Sequence, residues 1–169
     1  VSSPTVVKKF YADAVSAIGD IDILVNNAGH NNTEPFEDIS EESFDRMLDV
    51  HVKGTFFMTQ SAYRDMKRRG KGRIINITSQ LAYKGAPKMA HYCAAKGANT
   101  TFTRALALEC GDTGVLVNAV APGVTHTDLL TPLADEVLDT LKASIPLNRF
   151  AEVDEIAPAV ALLASTEGS

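Results

Sequence analysis

The sequence holds 169 residues, with 16 Lys and Arg against 21 Asp and Glu, a formal net charge of −5, 45% apolar residues and no Trp. That is one domain's length and an ordinary globular composition, which excludes disordered, collagen-like and disulfide-framework chains. The acidic balance argues against nucleic-acid binding, and no apolar run approaches the roughly 20 residues of a membrane-spanning helix. Only two cysteines occur, Cys93 and Cys110, so the expected compartment is the reducing cytoplasm.

In chain order, residues 5–18 repeat apolar side chains at helical spacing (Val6, Val7, Phe10, Tyr11, Ala14, Val15, Ile18), and Gly19 follows where a helix end favours a left-handed residue. Ile21–Val25 is too short for a helix and reads as a buried strand. Asn26–Asp38 reads as a loop. Ser40 is a candidate N-cap, with Glu41 and Glu42 on the positive end of a helix running to about Arg69. The basic residues Arg64, Lys67, Arg68, Arg69 and Lys71 fall at that helix's C-terminal end, where they suit its dipole.

Arg73–Ile77 is a second strand, Thr78–Ala90 a loop and His91–Glu109 a helix rich in small residues. Val115–Val120 is a third strand, ended by Pro122-Gly123. Helices at Asp135–Ala143 and Val153–Ala164 follow, and Pro158 inside the last one favours a kink. Short apolar strands alternating with helices predict an α/β domain with a doubly wound parallel sheet. In such sheets the site lies beyond the C-terminal ends of the strands. That rule selects Asn26–Gly29, Thr78–Ser79 and Pro122–Thr127.

Each of these strand ends carries residues with chemical potential. Asn27, Ala28 and Gly29 offer amide groups and a backbone that a ligand can approach closely. Tyr92 and Lys96 are i and i+4, hence on one helix face. A free phenol has a pKa near 10, and lowering it by about 2–3 units takes about 3–4 kcal/mol. A neighbouring ammonium acts in that direction. Tyr92 would then exchange a proton with an alcohol oxygen near neutral pH, while Ser79 holds the same oxygen. Taken singly, each of these features is more often a turn, a cap or a packed tyrosine. Their occurrence at three consecutive strand ends favours a site. His30, His51, His91 and His126 show no metal-ligand spacing, so no metal site is expected. Cys93 reads as a small buried residue rather than a nucleophile.

Asn26-Asn27-Ala28-Gly29, Ser79, Tyr92-x-x-x-Lys96, Asn118 with Pro122-Gly123, and Thr127 together resemble the short-chain dehydrogenase/reductase family, over nearly the whole chain. The resemblance implies a Rossmann-like fold and an NAD or NADP cofactor. It implies Tyr92 as general acid/base, Ser79 as carbonyl positioner and Lys96 as pKa tuner and ribose ligand. It places Asn27, Ala28, Gly29, Tyr92, Lys96, Pro122, Gly123, Thr125 and Thr127 against the cofactor. It also implies a homotetramer in the cytoplasm. His51 stands where many members carry a catalytic Asn that helps hold a water relay to the lysine, and it is counted with the catalytic set.

The family's glycine-rich phosphate loop, its first two strands and a C-terminal strand are not found here. The expectation is therefore a single partial domain over residues 1–169, a fragment. Within the family, Leu147-x-Arg149-Phe150 and Glu155-Ile156-Ala157 resemble the 3-oxoacyl-acyl-carrier-protein reductases. That makes a 3-oxoacyl thioester the first expectation for substrate. Arg68, Arg69, Lys71 and Arg73 could dock an acidic carrier, although dipole compensation and solubility account for them at least as well. The alternatives are a polyol, sugar-acid or other secondary-alcohol dehydrogenase, or an inactive truncated module.

Overall fold

Three strands, β1 (Ile23–Asn26), β2 (Gly72–Ile77) and β3 (Val115–Val120), pair in that order and all in parallel. The computed structural model describes residues 3–168; Val1, Ser2 and Ser169 lie outside the described residues. The register sets Asn26 opposite Asn76, and Asn76 opposite Ala119. The helices are α1 (Pro4–Ile18), α2 (Glu41–Leu48), α3 (Thr55–Arg69), α4 (Leu81–Lys84), α5 (Ala90–Glu109), α6 (Asp135–Ala143) and α7 (Val153–Ala164). The alternation of strands and helices read from the sequence is therefore present, as is the parallel sheet.

One face of the sheet is covered by α1, α3 and α5. There Tyr11, Ala62, Met66, Ile74, Cys110, Val115 and Val117 form the apolar core. Strand residues alternate between faces, so Ile75 points away from that cluster, toward the side where α7 packs on β2 and β3. Helix ends follow the local chemistry. Ser40 Oγ accepts from the Ser43 N–H at 3.1 Å, with Glu41 and Glu42 in the first turn. Gly70 closes α3 at φ +70° just after Lys67, Arg68 and Arg69. Pro158 lies inside α7, yet the helix runs unbroken to Ala164.

Three local expectations change. The helix expected from residue 41 to about 69 is interrupted by a π-helical segment at Asp49–Gly54. A π turn adds one residue to the turn without altering the apolar pattern on either side, so periodicity does not reveal it. The loop at 78–90 contains the short helix α4. The first strand starts two residues later than read, and it is not buried: Ile23 is 48% exposed and Val25 41%. It is an edge strand of this sheet with one side open, whereas β2 and β3 are the covered strands.

Candidate active site

The ends of β2 and β3 continue to hydrogen-bond beyond the strands themselves. The Thr78 N–H donates to Val120 O at 2.8 Å and the Gln80 N–H to Pro122 O at 3.0 Å. This pairing brings Ser79 beside the Ala121–Thr127 segment, which begins 42 residues further along the sequence. Ser79 is buried, and its Oγ accepts from the Leu81 N–H at 3.1 Å. That bond orients the hydroxyl, which lies near enough to the Tyr92 phenol to favour its ionised form.

Tyr92 and Lys96 lie one turn apart on α5, facing the sheet. Lys96 is 5% exposed, and its Nζ donates to Ile77 O at 2.8 Å. An ammonium has three protons to give, so this bond anchors the group and leaves donors for a ligand. Burial pushes the Lys96 amine down to about 8. The Nζ lies 5.7 Å from the centroid of the Tyr92 ring.

The expectation that this ammonium makes the phenol acidic is not met in the chain itself. Burial is the largest influence on Tyr92 and raises its pKa; the Ser79 hydroxyl opposes that rise, and the Cys93 thiol adds to it. Desolvation disfavours the phenolate more than the polar neighbours favour it. Tyr92 is thus a protonated donor at neutral pH. That is the state a reaction needs when it must deliver a proton to an oxygen.

His51 enters the site from the π segment. It is 1% exposed, and its ring meets that of Tyr92 edge-on, with centroids 5.4 Å apart and planes at 84°. On its other side is Gly29, where an added Cβ would stand only 2.6 Å from His51 Cε1. The close backbone approach expected at Gly29 is therefore an approach to this imidazole. His51 Nε2 lies 2.6 Å from His30 O and 3.2 Å from the His30 backbone nitrogen, so this ring nitrogen meets both a main-chain acceptor and a main-chain donor. Nδ1 is buried and has no hydrogen-bond partner among the described residues. Burial first, and the Lys96 charge second, push the imidazole down to about 4, so it is neutral at physiological pH.

The remaining residues read as cofactor contacts surround this centre. Asn27, Ala28 and Gly29 are exposed on the loop after β1, while Pro122, Thr125 and Thr127 are half-buried and Gly123 is exposed. Thr125 Oγ1 donates to Gly123 O at 3.2 Å. Ala151 pins the segment through its N–H to Val124 O at 3.0 Å and its O to the His126 N–H at 2.8 Å. Hydroxyl and ammonium donors beside main-chain carbonyl acceptors form a set that fits the nicotinamide and ribose half of a dinucleotide. No glycine-rich phosphate cradle occurs among the described residues, and no cluster of His, Cys, Asp or Glu there could hold a metal ion.

Sequence reasoning passed over Asn99, which is 3% exposed and donates from Nδ2 to His51 O at 2.8 Å. The available signal was a polar residue three positions after Lys96, on the same buried helix face. Part of the basic surface read as a carrier-docking patch is ion-paired, while Arg73 donates only to Gly72 O among the described residues. Arg69 pairs with Asp22 and donates to Ile21 O at 2.5 Å, Lys71 lies 3.5 Å from Asp22, and Arg68 lies 3.6 Å from Asp65.

The family model described as enoyl-(acyl carrier protein) reductase matches residues 1–169. An acetoacetyl-CoA reductase from Acinetobacter sp. (strain RA3849) is 39% identical over 157 residues, covering 93% of this chain and 63% of that protein. A 3-oxoacyl-(acyl-carrier-protein) reductase from Staphylococcus epidermidis is 38% identical over 159 residues, covering 94% and 65%. Among solved structures, a gluconate 5-dehydrogenase from Burkholderia cenocepacia J2315, in complex with NADP and tartrate, superposes with a TM-score of 0.92 at 32% identity. That match covers 97% of this chain and 65% of that one. The chain thus spans somewhat less than two thirds of the length of these relatives.

Proposed function

The chain belongs to the short-chain dehydrogenase/reductase family, and on that premise we propose that it carries the catalytic half of an NAD- or NADP-dependent oxidoreductase that reduces the ketone of a 3-oxoacyl thioester. The observation that carries this reading is the placement of the Ser79 hydroxyl, the Tyr92 phenol and the anchored Lys96 ammonium in one site. Ser79 holds the ketone oxygen. Tyr92, protonated because burial raises its pKa, delivers the proton to that oxygen as it becomes an alcohol. Lys96 turns its remaining donors to the ribose hydroxyls, and the loops at Asn27–Gly29 and Pro122–Thr127 border the nicotinamide. A bound nicotinamide ring supplies the hydride. His51, neutral and walled off from water, keeps the Tyr92 ring in place rather than exchanging protons.

Support for the thioester comes from relatives at 38–39% identity named for such substrates. A second reading, oxidation of a sugar acid or polyol by the same residues, is favoured by the structural match to a gluconate 5-dehydrogenase. The proposal places the protein in the cytoplasm as a homo-oligomer, in keeping with two free cysteines.

The test is a substrate panel on the full gene product, with NADH and NADPH in turn. Acetoacetyl-CoA should be reduced with a kcat/KM at least about tenfold above that for any polyol or sugar acid run in reverse, a margin of about 1.4 kcal/mol. Polyol or sugar-acid oxidation without thioester reduction would overturn the substrate class. Absence of turnover on every member of the panel would overturn the enzymatic reading.

A further inference from the structure

A chain of buried hydrogen bonds leads from the middle of the sheet to the π segment. Asn26 Nδ2 donates to Asn76 Oδ1 at 2.8 Å, and Asn76 Nδ2 donates to Thr103 Oγ1 at 2.9 Å. Thr103 Oγ1 in turn donates to Asn99 O at 2.8 Å. Asn99 is therefore held through its main-chain carbonyl, while its side chain reaches across to His51 O in the π segment. One turn earlier on the same helix, Thr100 Oγ1 donates to Lys96 O at 2.9 Å. Asn99 is three residues from Lys96 and seven from Tyr92, so all three share one face of α5.

A π segment is set apart from the α-helical ladder on either side, which exposes main-chain groups to partners outside the helix. In this molecule the carbonyl of His51 takes its partner from α5. The consequence is geometric. The His51 ring is wedged between Gly29, which has no room for a Cβ, and the Tyr92 ring. Movement of the π segment relative to α5 would move that wedge, and with it the spacing between the Asn27–Gly29 loop and the Tyr92 phenol.

We propose that Asn99 is a positioning residue: its amide clamps the π segment to α5 and, through the His51 ring, sets the distance between the cofactor-side loop and Tyr92. The inference rests on the reading of Tyr92 as the proton donor. Asn99 is buried and its amide is spent on His51 O, so its effect is expected on the chemical step rather than on ligand affinity. Misplacing a reacting group by about 1 Å can cost on the order of a hundredfold in rate.

The experiment compares Asn99→Leu, which keeps the branched shape and loses the donor, with Asn99→Gln, which keeps the donor on a longer stem, in the full gene product. Three quantities are read: kcat and KM for acetoacetyl-CoA, cofactor affinity by fluorescence titration, and the His51 imidazole resonances by nitrogen-edited NMR without cofactor. Asn99→Leu should lower kcat by about tenfold or more. KM and cofactor affinity should stay within about twofold, and the His51 ring signals should shift. Asn99→Gln should recover part of kcat.

Unchanged kcat, unchanged His51 signals, or a matched loss of kcat and affinity in which Gln does no better than Leu would overturn the proposal. Should Asn99→Leu fail to fold, Asn99→Ala carries the same expectations. If the unmodified protein reduces no ketone, the functional reading fails by itself. The NMR comparison then still decides whether Asn99 holds His51.

Discussion

The two borders of this sheet are built from opposite materials. At the β2–β3 side, polar residues are buried: Asn76, Ser79, Lys96, Asn99, Thr100 and Thr103 all lie inside, as does His51. At the β1 side, apolar residues are exposed: Ile23 and Val25 on the strand, and Val6, Phe10 and Ile18 on α1. Both arrangements run against the ordinary partition of side chains, and each has a different physical meaning. A buried polar group is tolerable when its hydrogen bonds are made, and here Asn76, Lys96, Asn99 and Thr103 each make one or more. An exposed apolar strand residue has no such internal compensation. Polar burial coincides with the candidate site, and apolar exposure runs along β1 and α1.

The contrast is sharpened most by removing the anchored ammonium. Lys96→Ala should lower turnover by about a hundredfold to a thousandfold, equivalent to about 3–4 kcal/mol. It should also weaken cofactor binding, measured by fluorescence titration, and turnover with cofactor affinity unchanged would remove Lys96 from the site. Next in size is acid sensitivity from His51. Its folded-state pKa of about 4 lies below the ordinary 6.5, so the unfolded chain binds the extra proton first. The stability this group contributes is complete above about pH 6.5 and is lost as the pH falls toward 4, amounting to about 3 kcal/mol at most. Denaturant melts of the native protein and of His51→Phe across that range should differ in slope. Parallel curves would show that the imidazole is not buried in neutral form.

The smallest effect is a pairwise one. Asn76→Ala removes the central link of the polar chain and should cost about 2 kcal/mol. Val25→Thr on the open edge should change stability by less than about 0.5 kcal/mol. Comparable losses in the two variants, measured by chemical denaturation, would erase the distinction between the two borders.

The sequence made legible what depends on local pattern. Helices α1, α5, α6 and α7, the third strand and the Ser40 cap follow from apolar spacing and short-range capping chemistry. The Ser79, Tyr92 and Lys96 cluster followed from strand ends meeting in a parallel sheet. What remained hidden depends on contacts between distant residues. The π segment at Asp49–Gly54 adds a residue without disturbing the helical stripe. Arg69 meets Asp22 across 47 positions, a pairing that the basic run does not show by itself. The Tyr92 pKa turned on burial, a property of the packed molecule, rather than on the lysine four residues away. Gly29 reads as a generic close-approach glycine until the His51 ring is seen against it.

The central claim is that Tyr92 gives the proton. It is tested most directly by Tyr92→Phe in the full gene product, with acetoacetyl-CoA turnover and cofactor affinity measured side by side. The account predicts a loss of about a hundredfold to ten-thousandfold in kcat with cofactor affinity within about twofold of the parent. Turnover close to that of the parent, in a variant that binds cofactor normally, would contradict it.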